Sequence, residues 1–305
     1  MTQRFDATDL YLLSVLALFQ SLETTRSARV GDAFAKCIAR VAYHSLRAKR
    51  RAIRERLREF LGAHSTAREI NRRVYGTFES FWRDAVMLLN VERKSELERA
   101  RIRGLEHITD ALARGHGAIL FENSFFGQRN AVKRILFTRG FNVHQTHSPE
   151  HLGGFFAQGE TEIRARVIRP FFETREQKYV ASILYLAQGE SFAVTRHLMN
   201  LLQQNEPVYL SGEGQIGHKH VELEFLGKPR RFATGAIHLA QLTGAPLLPI
   251  FCWLDERDEL HLEIEPPLEF PNNARAAEIG MKQFARLLEQ RIRQHPEQYR
   301  DWHAA

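Results

Sequence analysis

The chain has 305 residues, of which 44% are hydrophobic and 26% charged, a composition that is ordinary for a globular protein and excludes a disordered or fibrous one. At about 100–200 residues per domain, this length corresponds to one large domain or two small ones. Two cysteines, Cys37 and Cys252, exclude a disulfide framework and a cysteine-rich zinc module, and a reducing compartment is the default. The net charge of +7 indicates an anionic partner such as a membrane, a phosphorylated substrate, an acidic carrier protein or nucleic acid.

An apolar run over residues 10–19 stands near the N-terminus. It is too short to cross a bilayer, which takes roughly 20 residues. Asp6 and Asp9 precede it and no small-residue cleavage site follows, which is unlike a secretory signal. Two interpretations stay open, a buried helix and a helix that lies in the membrane interface. The basic stretch over residues 36–58 favours the interface, because lysine and arginine are attracted to anionic lipid, although such a run is also typical of a solvated helix face.

Residues 1–100 are predicted to be helical, with Thr66 and Glu69 as a capping box before an amphipathic helix. Beyond residue 100, short apolar runs alternate with helical segments. The predicted strands are 117–121, 141–146, 207–210, 220–226, 246–251 and 260–264, and the predicted helices are 131–136, 193–204, 232–242 and a final one containing residues 279–292. This alternation predicts an α/β fold, with a helical N-terminal region over 1–100 and an α/β core over 101–305 in one continuous unit.

Several short motifs, taken in their order and spacing, carry a family resemblance. They lie at residues 103–107, 111–120, 225–229, 234–236, 239–240, 243–246, 249–251, 266–268 and 296–299. Over nearly its whole length the chain resembles the lysophospholipid acyltransferase-like superfamily, and within it the bacterial lipid A biosynthesis (lauroyl/myristoyl) acyltransferases. The resemblance implies a glycerolipid acyltransferase-like α/β fold, in which a mixed sheet is flanked by helices.

The same resemblance implies the transfer of a fatty acyl group from an acyl thioester, carried by acyl carrier protein or CoA, to a lipid or glycolipid acceptor. It implies a peripheral location on the cytoplasmic face of the bacterial inner membrane and no cofactor. In the family, a histidine followed by an acidic residue acts as the general base, and the carboxylate orients the imidazole.

This chain departs from the family at that point. Aligning the turn on Gly127 puts Phe125 at the histidine position and Asn130 at the acid position. A shift by one residue gives Ser124 and Arg129, which also lack the pair. The sequence therefore predicts an atypical active site.

Four residues are candidates to position or deprotonate the acceptor in place of the missing pair: Glu122, Asn123, Ser124 and Glu213. A carboxylate at the end of the strand, beside Phe125, would have a raised pKa and could act as a base; a salt-bridged turn residue is the alternative. Glu213 lies between two glycines, which permit a close backbone approach to a ligand but also serve ordinary turns.

A basic group, Lys228, Arg230 and Arg231, precedes the helix predicted from residue 232. With Arg129 and Arg196 it is predicted to bind a phosphate of the acceptor or of a phosphopantetheine arm, although each cation alone is typical of a protein surface.

Several histidines are further candidates. His144 and His147 follow the second predicted strand, so that one of them could reach the site, although a structural role is the commoner one. His218, His220 and Glu222 share a strand face, but such alternation is more typical of the wet side of a sheet, and no metal site is predicted.

The 21 phenylalanines lie in apolar segments and are not interleaved with lysine and arginine, so no nucleic-acid partner is predicted.

Two functions remain, an acyltransferase and a binding protein. The absence of the family's pair makes a catalytically inactive acyl- or lipid-binding relative the alternative to an acyltransferase. An acceptor amine of low pKa would need less help from a base than a hydroxyl does.

Overall fold

The computed structural model describes residues 7–25, 27–62, 65–89, 94–123, 126–147, 161–185, 191–212 and 219–303. The first third is helical where described, as predicted. Its helices are α1 (Ala7–Thr25), α2 (Ala28–Ser45), α3 (Arg47–Leu61), α4 (Ala67–Val86) and α5 (Lys94–Arg99). The Thr66 side chain caps α4 by accepting a hydrogen bond from the backbone N–H of Glu69 at 3.2 Å, and the apolar face that begins with Ile70 and Val74 is buried, as its spacing requires. None of the described helices is both long and apolar enough to span a bilayer.

A seven-stranded mixed sheet forms the centre of the remaining chain and confirms the predicted fold class. The strands, in chain order, are β1 (Arg101–Arg103), β2 (Ala118–Glu122), β3 (His144–His147), β4 (Ser182–Tyr185) and β5 (Pro207–Ser211), followed after a separate hairpin by β8 (Leu247–Leu254) and β9 (Leu260–Ile264). Their order across the sheet is β1-β9-β8-β2-β5-β3-β4. Strands β8 and β9 pair antiparallel, and the other neighbours pair parallel.

Helices cover both faces of this sheet. They are α6 (Leu105–Ala113), α7 (Arg129–Thr138), α8 (Arg169–Glu176), α9 (Ser191–Gln203), α10 (Gly235–Thr243) and α11 (Ala276–Gln294). Because side chains alternate along a strand, Ile119 and Phe121 of β2 belong to a buried cluster with α9, α10 and α11. Ala118 and Leu120 belong to a second buried cluster, with α6 and α7. The first cluster also contains apolar residues of α1 to α4.

The separate hairpin pairs β6 (His220–Phe225) with β7 (Lys228–Ala233). Leu226 and Gly227 form its two-residue turn, with φ values of 54° and 78°, as in hairpins whose turn follows the twist of the strands. The helix predicted from residue 232 therefore begins only at Gly235, because residues 228–233 are a strand. The strand predicted over 141–146 begins at His144.

Candidate active site

Polar side chains meet where the central parallel strands end. Strands β2 and β5 pair Glu122 with Ser211, and β3 and β5 pair Gln145 with Tyr209. Continued along both strands, the second register brings His147 level with Ser211 and Glu122. Residues at one level of a parallel sheet point to the same face, and the carboxyl ends of such strands are the usual place for ligands.

Glu122 has a partner on each carboxylate oxygen. The Tyr209 hydroxyl donates to Oε2 at 2.6 Å, and Nη2 of Arg129 lies 2.9 Å from Oε1. Burial, together with the Glu122 carboxylate, raises the pKa of Tyr209 well above its ordinary value, so that the phenol stays a hydrogen-bond donor. The contacts of Glu122 are those of a residue that holds the Arg129 guanidinium in place.

The turn after β2 is tightly bound to its surroundings. Gly127 has a φ of 68°, and a Cβ atom there would lie 1.8 Å from the carbonyl oxygen of Cys252, so only glycine fits. The backbone N–H of Gly127 donates to the carbonyl of Gln298 at 2.9 Å, and that of Gln128 to the carbonyl of Cys252 at 2.8 Å. The turn is thereby fixed between β8 and the C-terminal segment.

Asn130, which the resemblance aligns with the family's acid, is bound to a buried carboxylate from another helix. Its backbone N–H donates to Oδ1 of Asp84 at 2.8 Å, and its side-chain amide donates to Oδ2 at 3.2 Å. Nη1 of Arg300 also donates to Oδ2 of Asp84, at 3.0 Å. Asp84 lies at the N-terminus of α7, where the helix dipole favours negative charge. Sequence analysis missed Asp84, whose only signal is an acid inside an apolar stretch of α4.

Lys133, one turn further along α7, is fully buried and forms an ion pair with Glu176. Its Nζ also lies 3.4 Å from the side-chain oxygen of Asn130. Burial lowers the pKa of Lys133 to about 7; Arg129 acts in the same direction, and the carboxylates of Glu122 and Asp84 oppose it. Polar and charged side chains thus contact one another along the buried side of α7.

The other four cations that were predicted to bind phosphate contact other groups of the protein. Lys228 pairs with Glu59 at 2.7 Å, and Arg230 contacts Asp301 and donates to the hydroxyl of Tyr299 at 3.0 Å. Arg231 lies 3.2 Å from Nδ1 of His220, and Arg196 lies over the ring of Phe192 on the exposed side of α9. Of the predicted site residues, the structure brings together Glu122, its neighbour Asn123 and Arg129.

Part of the predicted site lies outside the described residues. This applies to Ser124, Glu213 and His218, and to Phe125, which the resemblance aligns with the family's histidine. Asn123, which precedes this part of the turn, is buried.

Within the described part of the chain, Asp255, Glu259 and His261 have ligand atoms within 4.8 Å of one another. They belong to the β8–β9 turn, where Asp255 accepts the backbone N–H groups of Arg257 and Glu259 at 2.8 and 2.9 Å. Hydrogen bonding within the turn accounts for this acidic group, which is typical of an Asx-type turn.

Comparison with known proteins agrees with the resemblance found in the sequence. The chain is 28% identical over 232 residues to a phosphatidylinositol mannoside acyltransferase of Mycobacterium tuberculosis, a match that covers 74% of this chain and 66% of that protein. It is 26% identical over 195 residues to a protein of the same name from Mycolicibacterium smegmatis, covering 63% of this chain and 58% of that protein. The matched regions thus span 58–66% of the length of these relatives, less than two thirds. The model of the family described as bacterial lipid A biosynthesis acyltransferase matches residues 3–303, and the chain belongs to this family.

Proposed function

We propose that the protein is an acyltransferase that moves a fatty acyl group from an acyl thioester to a hydroxyl or amine of a lipid or glycolipid, using an atypical active site. The observation that carries the proposal is family membership over residues 3–303. The names of the mycobacterial relatives support a glycolipid acceptor. The donor is acyl carrier protein or CoA, and no nucleic acid takes part.

The proposed reaction is a substitution at the thioester carbonyl. The acceptor oxygen or nitrogen attacks the carbonyl carbon, the carbon–sulfur bond breaks, and the thiol leaves with the proton that the acceptor has lost. Glu122, Asn123, Ser124 and Glu213 are proposed to position or deprotonate the acceptor. Arg129, which pairs with Glu122, is proposed to bind a phosphate through its guanidinium, and Arg196, Lys228, Arg230 and Arg231 are proposed substrate-binding residues as well.

A non-catalytic acyl- or lipid-binding protein is the second candidate. It is favoured by Phe125 and Asn130, which stand at the positions of the family's histidine and acid, and by the hydrogen bonds that commit Asn130 to Asp84.

A transfer assay separates the two candidates. Purified full-length protein is incubated with radiolabelled palmitoyl-acyl carrier protein or palmitoyl-CoA, and with a phosphatidylinositol mannoside or a lipid A precursor as the acceptor. We expect labelled lipid product, and about a 10²-fold lower rate for Glu122→Gln, because misplacing a positioning group by about 1 Å costs a factor of that size. Glu206→Gln, at an exposed position near the other end of the sheet, is the matched control. Acyl binding with no product from either donor would support the binding protein instead.

The proposed location is the cytoplasmic face of the bacterial inner membrane, with α1 as the contact. No charged residue occurs between Asp9 and Glu23, and both of these acids point inward: Asp9 pairs with Arg164 at 2.9 Å and Glu23 with Arg175 at 2.6 Å. The outer side of α1 exposes Leu10 (62%) and Leu18 (47%). In helices that lie in the interface, the apolar face is buried at the boundary of headgroups and acyl chains, and Leu10 and Leu18 are exposed apolar side chains for such a contact.

The charge of the neighbouring helices supports the same location. Residues 28–73 contain 13 lysines and arginines against 4 acids, so this segment carries more positive charge than the whole chain's +7. Such a surface complements an anionic leaflet, to which each basic residue adds about 1 kcal/mol of attraction.

Binding to vesicles tests the membrane proposal. We expect Leu10→Gln/Leu18→Gln to weaken cosedimentation with phosphatidylglycerol-containing vesicles at least about tenfold, since burying a leucine contributes about 1.5–3 kcal/mol. Raising the salt concentration should weaken binding as well. Leu242→Gln, at a similarly exposed leucine of α10, is the control. If this control weakens binding as much as the α1 variant does, α1 is not the contact.

A further inference from the structure

His147 ends β3 at the level of Glu122 and faces a buried carboxylate. Its Nε2 lies 3.9 Å from Oε2 of Glu176, the last residue of α8. The other oxygen of Glu176, Oε1, is held by Lys133. The imidazole is half-buried, whereas Glu176 and Lys133 are buried. A histidine backed by an oriented carboxylate is the arrangement that general-base catalysis uses.

A continuous series of contacts joins this pair to the position of the family's missing acid. Asn130 contacts Lys133 through its side-chain oxygen, Lys133 contacts Glu176, and Glu176 faces His147. The pair is therefore tied to α7, the helix that begins directly after the turn of the candidate site. Strand β5 lies between β2 and β3, so two strand spacings of about 4.8 Å separate His147 from the level of Glu122.

The residue next to His147 on the same face of β3 is a buried amide. Gln145 lies two residues earlier on the same face of β3 and is fully buried. Neither its side-chain oxygen nor its nitrogen has a hydrogen-bond partner within the part of the chain that the structure describes. A buried amide of this kind is normally satisfied by a water molecule or a ligand. A polar molecule next to His147 would fill that need.

We propose that His147, oriented by Glu176, is the general base that deprotonates the acceptor in the reaction proposed above. In the tautomer that carries its hydrogen on Nε2, the nitrogen on the side of Glu176, Nδ1 is the basic nitrogen. Nδ1 takes the proton of the acceptor hydroxyl as its oxygen attacks the thioester carbonyl. The tetrahedral intermediate collapses with cleavage of the carbon–sulfur bond, and the imidazolium returns the proton to the departing thiolate. The products are an ester and a thiol, with the histidine again neutral.

This assignment leaves Glu122 as a positioning residue. Both of its oxygens are engaged, by Tyr209 and Arg129. We propose that Glu122 holds the Arg129 guanidinium in place for a substrate phosphate, while His147 accepts and returns the proton.

His144 supplies a matched control on the same strand. It opens β3, and its Nε2 lies 3.9 Å from Oε2 of Glu206, the same distance as in the His147–Glu176 pair. Its Nδ1 lies 2.8 Å from the hydroxyl of Ser182. Because His144 stands at the opposite end of a parallel strand, its imidazole is remote from the edge where the turn after β2 lies.

The test compares His147→Gln, His147→Ala and His144→Gln in the radiolabelled transfer assay. We expect His147→Gln to lower kcat at least about 10²-fold with little change in KM, and His144→Gln to stay within about threefold of wild type. Added imidazole should restore His147→Ala at least tenfold but should not restore Glu122→Gln. Circular dichroism spectra that match wild type establish that the variants fold.

The outcomes separate this inference from the proposed function. An active wild type with an equally active His147→Gln overturns the base role and leaves the acyltransferase standing. Loss of activity that appears in KM and resists imidazole rescue also overturns it, because binding or structure then explains the loss. A wild type that transfers acyl groups from neither donor overturns the proposed function and the base role together.

Discussion

Asp84→Asn is expected to lower the free energy of unfolding by at least about 3 kcal/mol, the cost of removing one partner of a buried ion pair. The Asp84 carboxylate accepts hydrogen bonds from the backbone and side chain of Asn130 and from Arg300. The neutral amide leaves the Arg300 guanidinium, itself buried, without its counter-charge. It also removes the negative charge from the N-terminus of α7, where that charge is favourable.

Asp258→Asn is the matched control. Asp258 also forms an ion pair with a buried arginine, Arg83, and a second one with Lys36, but it is itself about half exposed, and Arg83 keeps the carboxylate of Glu79 at 4.0 Å. Solvent weakens such a pair, so its loss is expected to change stability by less than about 1 kcal/mol. Asparagine also tolerates the positive φ of 65° at this position. Urea unfolding followed by circular dichroism measures both variants. Equal losses would show that Asp84 does not carry the buried charge assigned to it.

Local sequence patterns predict the parts of this fold that local chemistry determines. Strand β9 occupies the predicted residues, 260–264, because apolar and polar side chains alternate through it. Helix α10 ends at Thr243, one residue beyond the predicted end, and is followed by Gly244, whose φ of 74° suits glycine. The short strands β1 and β4 were not predicted. β1 has three residues, two of them arginines, and is defined by its pairing with β9 and not by any periodicity of its own.

In the candidate site, too, some features follow from the local sequence and others from the packing of distant segments. The placement of Glu122 at a strand end, close to Arg129, follows from a strand, a turn and a helix in sequence. The contacts of Asp84 with Asn130 and of Lys133 with Glu176 join residues more than 40 positions apart. They depend on how α4 and α8 pack against α7, which a helical period does not encode. A charged residue inside an amphipathic helix is usually interpreted as solvated, and for Lys133 and Asp84 burial reverses that interpretation.

The register of β3 decides between its two histidines. The sequence offered His144 and His147 as equal candidates, because the strand was predicted to end near residue 146. The observed strand begins at His144 and ends at His147, so one imidazole lies at each end of the sheet. A shift of a few residues in a strand boundary thus determines which histidine lies at the end of β3 that is level with Glu122.

Lys133→Met is expected to destabilise the protein by about 3–5 kcal/mol at about pH 6, where the Lys133 ammonium is charged, because a single buried partner is removed. Methionine fills most of the volume of lysine but leaves the Glu176 carboxylate buried without its cation. The double variant Lys133→Met/Glu176→Gln is expected to recover most of the lost stability, since replacing both members of a buried pair by neutral groups is often close to neutral.

The double variant also separates stability from catalysis. Without the Glu176 carboxylate, the proposed base loses the negative charge that favours the imidazolium, so we expect kcat to fall at least about tenfold although the protein is folded. Urea unfolding and the transfer assay on the same preparations measure the two effects. A double variant that regains stability and full kcat would show that Glu176 serves only to neutralise Lys133. A single Lys133→Met variant as stable as wild type would show that the pair is not ionised in the folded protein.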